Sequence, residues 1–281
     1  MSALTPHIAL VPDSPSVTLA DISPVASAIQ KQVTRDFGPI WAINATVDAF
    51  EKLEAVPIDY WWIIVCDDLH PGGGGFHLDD HGQPIALVQA DPGWELAASH
   101  EALEMLADPS GNRTIAGAPP PRVPEPYSHF ERVKYLLEVC DPCNAKEFAY
   151  EVNGVRVSDF VTPHYFDPPG ATGVRCSFRG SVKEPHTVLK GGYVTFHYPV
   201  DDHWYQMGIR DGKAAVIDMG KSTGVRSLRE FVDRIVRENL KGKHYWTKSP
   251  AAIAAAVSVS PLPSPSTARA KVLREYVKGL K

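Results

Sequence analysis

The chain has 281 residues, of which 44% are hydrophobic and 22% charged, and its net charge is -5. This length is sufficient to bury an ordinary core in one large domain or two smaller ones, and the composition is typical of a folded globular protein. Charges of both signs are spread along the chain and the pI is near 6.1. This distribution of charge contains no basic segment of the kind that binds a phosphate backbone, so nucleic acid is not expected as a partner.

Secretion and membrane insertion are not expected either. The N-terminus is interrupted by Pro6, Pro12 and Pro15, and no run of about 18 apolar residues occurs in the chain. We therefore predict a cytoplasmic protein with no membrane partner. The only CxxC pair, Cys140 and Cys143, has no second pair to complete a four-thiolate zinc site, which favours two reduced thiols at a helix end.

The first half of the chain predicts helices and strands in alternation. The expected elements are a helix over residues 25–37, strands over 60–66 and 85–89, a helix over 94–108 and a second helix over 128–140. A type I turn should follow the helix over 94–108, since Asp108, Pro109 and Gly111 are the residue types that such a turn favours at its first, second and fourth positions.

The second half of the chain has alternating apolar and polar residues, with glycine and proline between the runs. The expected elements are strands over residues 150–152, 155–157, 174–178 and 193–198, and helices over 228–236 and 268–281. We therefore predict an α+β fold in two regions, residues 1–145 and a β-rich region over 146–281 that ends in helices.

The helix over 94–108 carries ionisable residues on its apolar side. His100 lies within the apolar stripe, and Glu104 lies beside it. Burying either side chain without a partner costs several kcal/mol, so each needs a counter-charge, a hydrogen bond or a metal ion. Side chains at i and i+4 are about 6 Å apart on one face and can reach the same cation. Glu101 is turned by about 100° and could reach a metal-bound water without being a ligand.

The sequence HEALE at residues 100–104 resembles the HExxH motif of the zincin metallopeptidases. Among these it is similar to the glutamate-zincins, which take a third ligand from a glutamate on a later helix. With Asp108 and Pro109 included, it resembles an HExxE-x3-DP signature of uncharacterised bacterial zincin-like proteins. The resemblance to those proteins would cover most of the chain. The resemblance implies a zincin-like metallopeptidase fold for residues 1–145, Zn²⁺ as the cofactor and a peptide or protein as the substrate.

The resemblance also implies a role for each site residue. His100, Glu104 and Glu138 would be the metal ligands, Glu101 would be the catalytic general base, and Asp141 would orient His100. Glu104 replaces the usual imidazole with a carboxylate, which makes a zinc-bound water less acidic than in the best zinc hydrolases. Zinc binding can therefore survive while the peptidase rate is weak or lost.

Alternatives remain for several of these residues. His100 and Glu104 could be a chance pair with no metal, because the bare HExxE pattern is only moderately specific. Glu138 shares its predicted helix face with Glu131 and Lys134, which could simply be a solvated face.

Three further histidines invite a role at the site. His77 or His81 could supply the nitrogen ligand that Glu104 replaces, although the glycines before them favour a flexible rim. His203 could donate to a developing oxyanion, although a buried aromatic cluster is the simpler interpretation.

Two functions follow from the sequence. The first is a zinc-dependent peptidase, in which residues 85–89 form an edge strand that binds an extended peptide. The second is a non-catalytic zincin-like binding protein with a structural or vestigial metal site. Glu101 separates them, since only the hydrolase needs a base beside His100. The sequence predicts no oligomeric state.

Overall fold

The computed structural model describes residues 5–67, 69, 74–80, 82–167, 173–210, 212–224, 227–229, 231–232, 234 and 265–280. The fold is α+β, as predicted, with two five-stranded sheets and a small two-stranded sheet in the described part of the chain. His81 lies outside the described residues. Of the predicted helix over residues 228–236, the described residues 228–229, 231–232 and 234 are helical, as predicted, and the others lie outside the described part of the chain.

Twelve strands and five α-helices make up the described elements. The strands are β1 (His7–Asp13), β2 (Thr46–Ala49), β3 (Tyr60–Cys66), β4 (Gly75–Asp80), β5 (Gln83–Gln89), β6 (Thr114–Gly117), β7 (Val133–Leu136), β8 (Tyr150–Val152), β9 (Val155–Val157), β10 (Tyr193–Tyr198), β11 (His203–Arg210) and β12 (Lys213–Gly220). The helices are α1 (Leu19–Lys31), α2 (Gly38–Trp41), α3 (Trp94–Ala107), α4 (Pro163–Phe166) and α5 (Pro265–Leu280), and a π-helix (Gln32–Phe37) joins α1 to α2.

The first helix starts earlier than the sequence pattern suggests. Thr18 is its N-cap, because the side chains of Thr18 and Asp21 form a capping box that satisfies two backbone N–H groups.

The first sheet has the strand order β2-β1-β3-β5-β4, with β4 antiparallel to β5 and the other pairs parallel. The predicted strands over residues 60–66 and 85–89 are confirmed, but residues 85–89 are not an edge strand. They lie in β5, between β3 and β4, because a strand buried on both faces suits the sheet interior. The edge is β4, where the run of glycines had indicated a loop.

The second sheet has the order β12-β11-β10-β7-β6. The helix predicted over residues 128–140 is wrong: β7 occupies this segment and pairs antiparallel with β6 and β10. Val133 and Tyr135 alternate with the exposed Lys134, so two buried side chains point to one face, and tertiary pairing overrides the helical spacing. Glu138 therefore follows a strand and is not on a helix.

Strand pairing elsewhere in the second half follows the prediction in part. Strands β8, β9 and β10 coincide with the runs predicted over 150–152, 155–157 and 193–198. Residues 174–178 form no strand and contribute only an isolated bridge between Ser177 and Val161. The division at residue 145 stays a prediction; β6 and β7 precede it, and β10 follows it in the same sheet.

The C-terminal helix α5 packs on the first sheet, as part of a cluster that includes Val11 and Ile64. It buries Ala270, Leu273 and Val277 there, and its length fits the helix predicted over residues 268–281. Among the described helices, none is long and apolar enough to cross a membrane.

An ion pair should fix α5 in a pH-dependent way. Arg274 forms hydrogen bonds to both carboxylate oxygens of Glu54 and lowers the pKa of Glu54 to about 2. A lowered carboxyl pKa adds stability that is complete above the unfolded value of 4.5 and is lost as the pH falls towards about 2. Both side chains are partly exposed, so we expect Arg274→Gln to cost about 1 kcal/mol or less at pH 7.

The measurement is urea unfolding of wild type and variant between about pH 7 and pH 3. Lys278→Gln, on the same helix, is the control because Lys278 pairs with Glu275, another residue of the exposed face of α5. The difference between wild type and Arg274→Gln should shrink as the pH falls. A difference that stays constant would contradict a role for the Glu54 charge.

Candidate metal centre

The helix α3 brings its ionisable residues into the protein interior. Every residue from Ala98 to Ala107 is buried, since α3 lies against β4 and β5 on one side and β9 on another. Glu101 is only 3% exposed. Although it is turned by about 100° from His100, Glu101 is therefore buried as well, because the helix is covered all round and not along one stripe.

His100 lies among carboxylates. Its Nε2 atom is 3.1 Å from Oε2 of Glu104 and 3.3 Å from Oδ1 of Asp141. Burial opposes a charged imidazole, but these carboxylates raise the pKa of His100 well above its usual value. Asp141 contacts the same nitrogen as Glu104, so it lies beside the ligand face of the ring and not behind it.

Glu104 contacts residues from three segments of the chain: α3, β4 and the loop after β7. Its Oε1 atom accepts a hydrogen bond of 3.1 Å from the backbone N–H of Cys140, and its Oε2 atom faces His100. His77 approaches the same oxygen at 3.9 Å through Nδ1. Burial opposes ionisation here, but the charge of His100 holds the pKa of Glu104 below its usual range.

His77, on the edge strand β4, belongs to the same group of buried side chains. We call this group the cluster; its members are His77, His100, Glu101, Glu104, Glu138, Cys140, Asp141 and Arg229. His77 is fully buried in β4, so the interpretation of this residue as part of a flexible rim is wrong. Its Nδ1 atom lies 3.4 Å from Oε2 of Glu101. Gly75 makes this approach possible, because a Cβ there would lie 2.9 Å from the carbonyl oxygen of Leu87 and 3.1 Å from the Glu101 side chain.

Glu138 and Arg229 close the cluster from the other side. Glu138 is 4% exposed, so the solvated-face hypothesis is wrong for it, although Glu131 and Lys134 are indeed exposed. Nη1 of Arg229 lies 3.2 Å from Oε1 of Glu138 and 3.7 Å from Oδ2 of Asp141. Burial and the nearby Glu104 carboxylate raise the pKa of Glu138 well above its usual value.

The turn after α3 positions Arg229. The predicted turn is confirmed: the N–H of Gly111 donates to the carbonyl of Asp108 at 3.1 Å. The Asp108 carboxylate accepts from the backbone N–H groups of Asn112 and Arg113. The backbone N–H of Arg229 then donates to the carbonyl of Gly111 at 2.9 Å. No local sequence signal marked Arg229, because this contact joins segments more than a hundred residues apart.

Two predicted roles are changed by the geometry. Cys140 and Cys143 are free, as expected, but they lie at the two ends of a short 3₁₀ helix (Asp141–Cys143), with Cys140 as its N-cap and Cys143 as its last residue, and not at the end of the predicted helix over 128–140. The Cys140 thiol lies 3.8 Å from the carbonyl oxygen of His100, inside the cluster. His203 lies on β11, where its ring bonds to Asp218 at 3.0 Å outside the cluster.

The cluster contains residues that can bind a metal ion. The donors form two groups of three residues, and within each group the ligand atoms lie within 4.8 Å of one another. The groups are His100, Glu104 and Cys140, and His77, Glu104 and Glu138. Five buried carboxylate oxygens receive no hydrogen bond: Oε2 of Glu104, both oxygens of Glu138 and both oxygens of Asp141. His100 and Arg229 form ion pairs with four of these oxygens, but they are two cations among more carboxylates, and a divalent cation would compensate the remaining negative charge. The donors present therefore fit a metal ion.

The contact between the turn and Arg229 can be tested at Gly111. This residue has a φ of +61°, and an added Cβ would lie 2.7 Å from Cβ of Arg229. Gly154 is the matched control, because its φ is +80° but no atom lies within 4 Å of an added Cβ. Gly154→Ala should cost about 1–2 kcal/mol through backbone strain alone. Gly111→Ala should cost roughly 2–4 kcal/mol, measured by chemical denaturation. Equal losses of unfolding free energy in the two variants would show that the Arg229 segment can move away from the added Cβ at little cost.

Comparison with models of known protein families, with curated proteins and with solved structures gave no match to this chain. The inference about function therefore depends on the geometry of the cluster.

Proposed function

We propose that the cluster binds Zn²⁺ and that the protein is a zinc-dependent hydrolase of peptide or related amide bonds. The observation that carries the proposal is the set of buried carboxylate oxygens without hydrogen-bond donors, which surround the imidazoles of His77 and His100. The zincin resemblance of the HEALE sequence supports the same conclusion. So does the arrangement of the first sheet, in which an antiparallel edge strand lies beside the helix that carries the motif.

His100 and Glu104 would hold the ion, with the Cys140 thiolate as the third donor and Asp141 beside them. Nitrogen, thiolate and carboxylate together are the ligand set that zinc accepts, whereas Mg²⁺ and Ca²⁺ prefer oxygen alone. The 3.1 Å between Nε2 of His100 and Oε2 of Glu104 is close to the roughly 3.4 Å that separates two ligands on a tetrahedral zinc ion. When bound, zinc supplies Lewis acidity that polarises a carbonyl group and acidifies water.

Glu101 is placed to act as the general base. It follows His100 on α3, and its Oε2 atom lies 3.4 Å from Nδ1 of His77. A carboxylate in this position can take a proton from water at one oxygen and later pass it to the leaving nitrogen. Gly75 leaves room for this side chain, because a Cβ there would lie 3.1 Å from it.

The edge strand β4 offers a place for an extended substrate. Its one partner among the described strands is β5, so its outer side has backbone groups that can pair with another chain. An extended peptide bound there by main-chain hydrogen bonds would lie beside Glu101 and His77. In this proposal β4 takes the peptide-binding role that was predicted for residues 85–89.

The alternative is a non-catalytic binding protein with a structural or vestigial metal site. The many carboxylates of the cluster favour it, because each negative charge makes the ion a weaker Lewis acid. In that protein Glu101 would have no chemical role. The two functions therefore differ in what happens when Glu101 is changed.

Metal binding is the first test of the proposal. Protein purified without chelator should contain zinc, and His100→Ala should lose it, because the imidazole is the best zinc ligand among the donors of its group. His203→Ala is the control, since His203 lies on the second sheet outside the cluster. Metal content is measured by inductively coupled plasma mass spectrometry. A metal-free wild-type protein would refute the proposal.

The second test separates hydrolase from binding protein. Glu101→Gln should keep its zinc and lower the turnover of a peptide library by at least about a hundredfold, the usual scale for a lost general base. Glu95→Gln makes the same change on the first turn of α3 and should leave turnover unaltered. Thermal unfolding of both variants checks that the fold persists. If wild type and Glu101→Gln cleave equally, or neither cleaves, the binding-protein alternative is preferred.

A further inference from the structure

We infer that the cluster is a two-metal site, in which Glu104 bridges two divalent cations. The inference rests on the metal binding proposed above and extends it from one ion to two. Each ion would have its own histidine, His100 for the first and His77 for the second.

The donors fall into two groups that share one residue. His100, Glu104 and Cys140 form the first, and His77, Glu104 and Glu138 form the second. Glu104 is the only member of both. Oε1 of Glu104 accepts the N–H of Cys140, whereas both imidazoles approach Oε2, which receives no hydrogen bond. A carboxylate oxygen has two lone pairs, so Oε2 can bind both ions. Two-metal sites place their ions about 3.5–4 Å apart, a span that one bridging carboxylate covers.

The second group is not needed for a single ion at His100. His77 lies in β4 and reaches Glu104 from the side of the first sheet, at 3.9 Å. Glu138 comes from the loop after β7 and is buried, with neither oxygen accepting a hydrogen bond. One of its carboxylate oxygens lies within 4.8 Å of a carboxylate oxygen of Glu104. Two buried carboxyl groups this close need a proton or a cation near them.

Arg229 neutralises one side of the cluster and leaves the other side open. It approaches Oε1 of Glu138 and Oδ2 of Asp141, at 3.2 and 3.7 Å. The second oxygen of each carboxylate remains: Oδ1 of Asp141 faces His100, and Oε2 of Glu138 has no hydrogen-bond donor. The guanidinium therefore accounts for half of these oxygens, and the other half face the positions of the two ions.

Charge also favours two ions over one. The acidic groups of the cluster are the carboxylates of Glu101, Glu104, Glu138 and Asp141 and the thiol of Cys140. With all four carboxylates ionised, the thiol deprotonated by a metal and both imidazoles neutral, the cluster has five negative charges. Among the described residues, Arg229 is the one lysine or arginine paired with them. One divalent cation would leave two buried negative charges, whereas two divalent cations would balance the cluster. Uncompensated buried charge is strongly unfavourable.

The experiment is the zinc stoichiometry of the full chain. The protein is saturated with Zn²⁺, freed of excess by gel filtration and analysed by inductively coupled plasma mass spectrometry. Wild type should hold about two ions per chain, His77→Asn about one, and Glu104→Gln fewer than either. Glu138→Gln, which preserves size, should also lose one ion and guards against a folding defect in His77→Asn. The exposed His129, changed to Asn, is the control and should keep two.

A second readout tests whether the ions are neighbours. Mn²⁺-loaded wild type should give an exchange-coupled electron paramagnetic resonance spectrum, and His77→Asn should give the six-line signal of an isolated ion. One zinc per wild-type chain, unchanged in His77→Asn, would overturn the two-metal inference and leave the proposed function standing. Two ions that both persist in His77→Asn, or an uncoupled Mn²⁺ spectrum, would also overturn it. No bound metal at all would refute the proposed function itself.

Discussion

The complete burial of α3 is the constraint on which the site depends. A helix that carries His100, Glu101 and Glu104 within five residues and is covered on every side must compensate those groups inside the protein. If compensation were the only requirement, the surrounding segments would supply cations. They supply Arg229, but they also add Glu138 and Asp141, two more carboxylates. A packed interior that gathers anions around imidazoles is expected where a metal ion provides the missing positive charge.

The rest of the fold serves to bring distant segments to this helix. In the first sheet, α3 packs against β5, and His77 lies on β4. Because β4 and β5 are hydrogen-bonded neighbours, α3 and His77 are held in a fixed relative position. The loop after β7, in the second sheet, contributes Glu138, Cys140 and Asp141. The turn after α3 positions Arg229, whose backbone N–H donates to the carbonyl of Gly111. Because the ligating groups stand on strands and a helix, with one loop fixed by the Glu104 bond to the Cys140 backbone, the cluster is pre-organised.

Local sequence signals were sufficient for one half of this arrangement. The helix with His100 and Glu104, the buried strand β3 and the turn at Asp108 each depend on short-range periodicity or turn chemistry, and the structure has all three. The other half depends on contacts that no short window contains. The β7 segment has helical spacing, but pairing with β6 and β10 decides its state. The partners His77 and Arg229 become visible only when β4 and the turn are in place.

A carboxylate at residue 104, where the HExxH motif of the zincins has a histidine, has a structural reason in this fold. Oε1 of Glu104 accepts the backbone N–H of Cys140, while Oε2 faces His100 at 3.1 Å and His77 at 3.9 Å. A neutral imidazole has one acceptor nitrogen and could not face the Cys140 N–H and a metal ion together. A histidine at this position would leave that buried N–H without its partner, a cost of about 1–3 kcal/mol. The carboxylate is therefore the residue that this packing requires, because it joins the loop after β7 to the donors on α3 and β4.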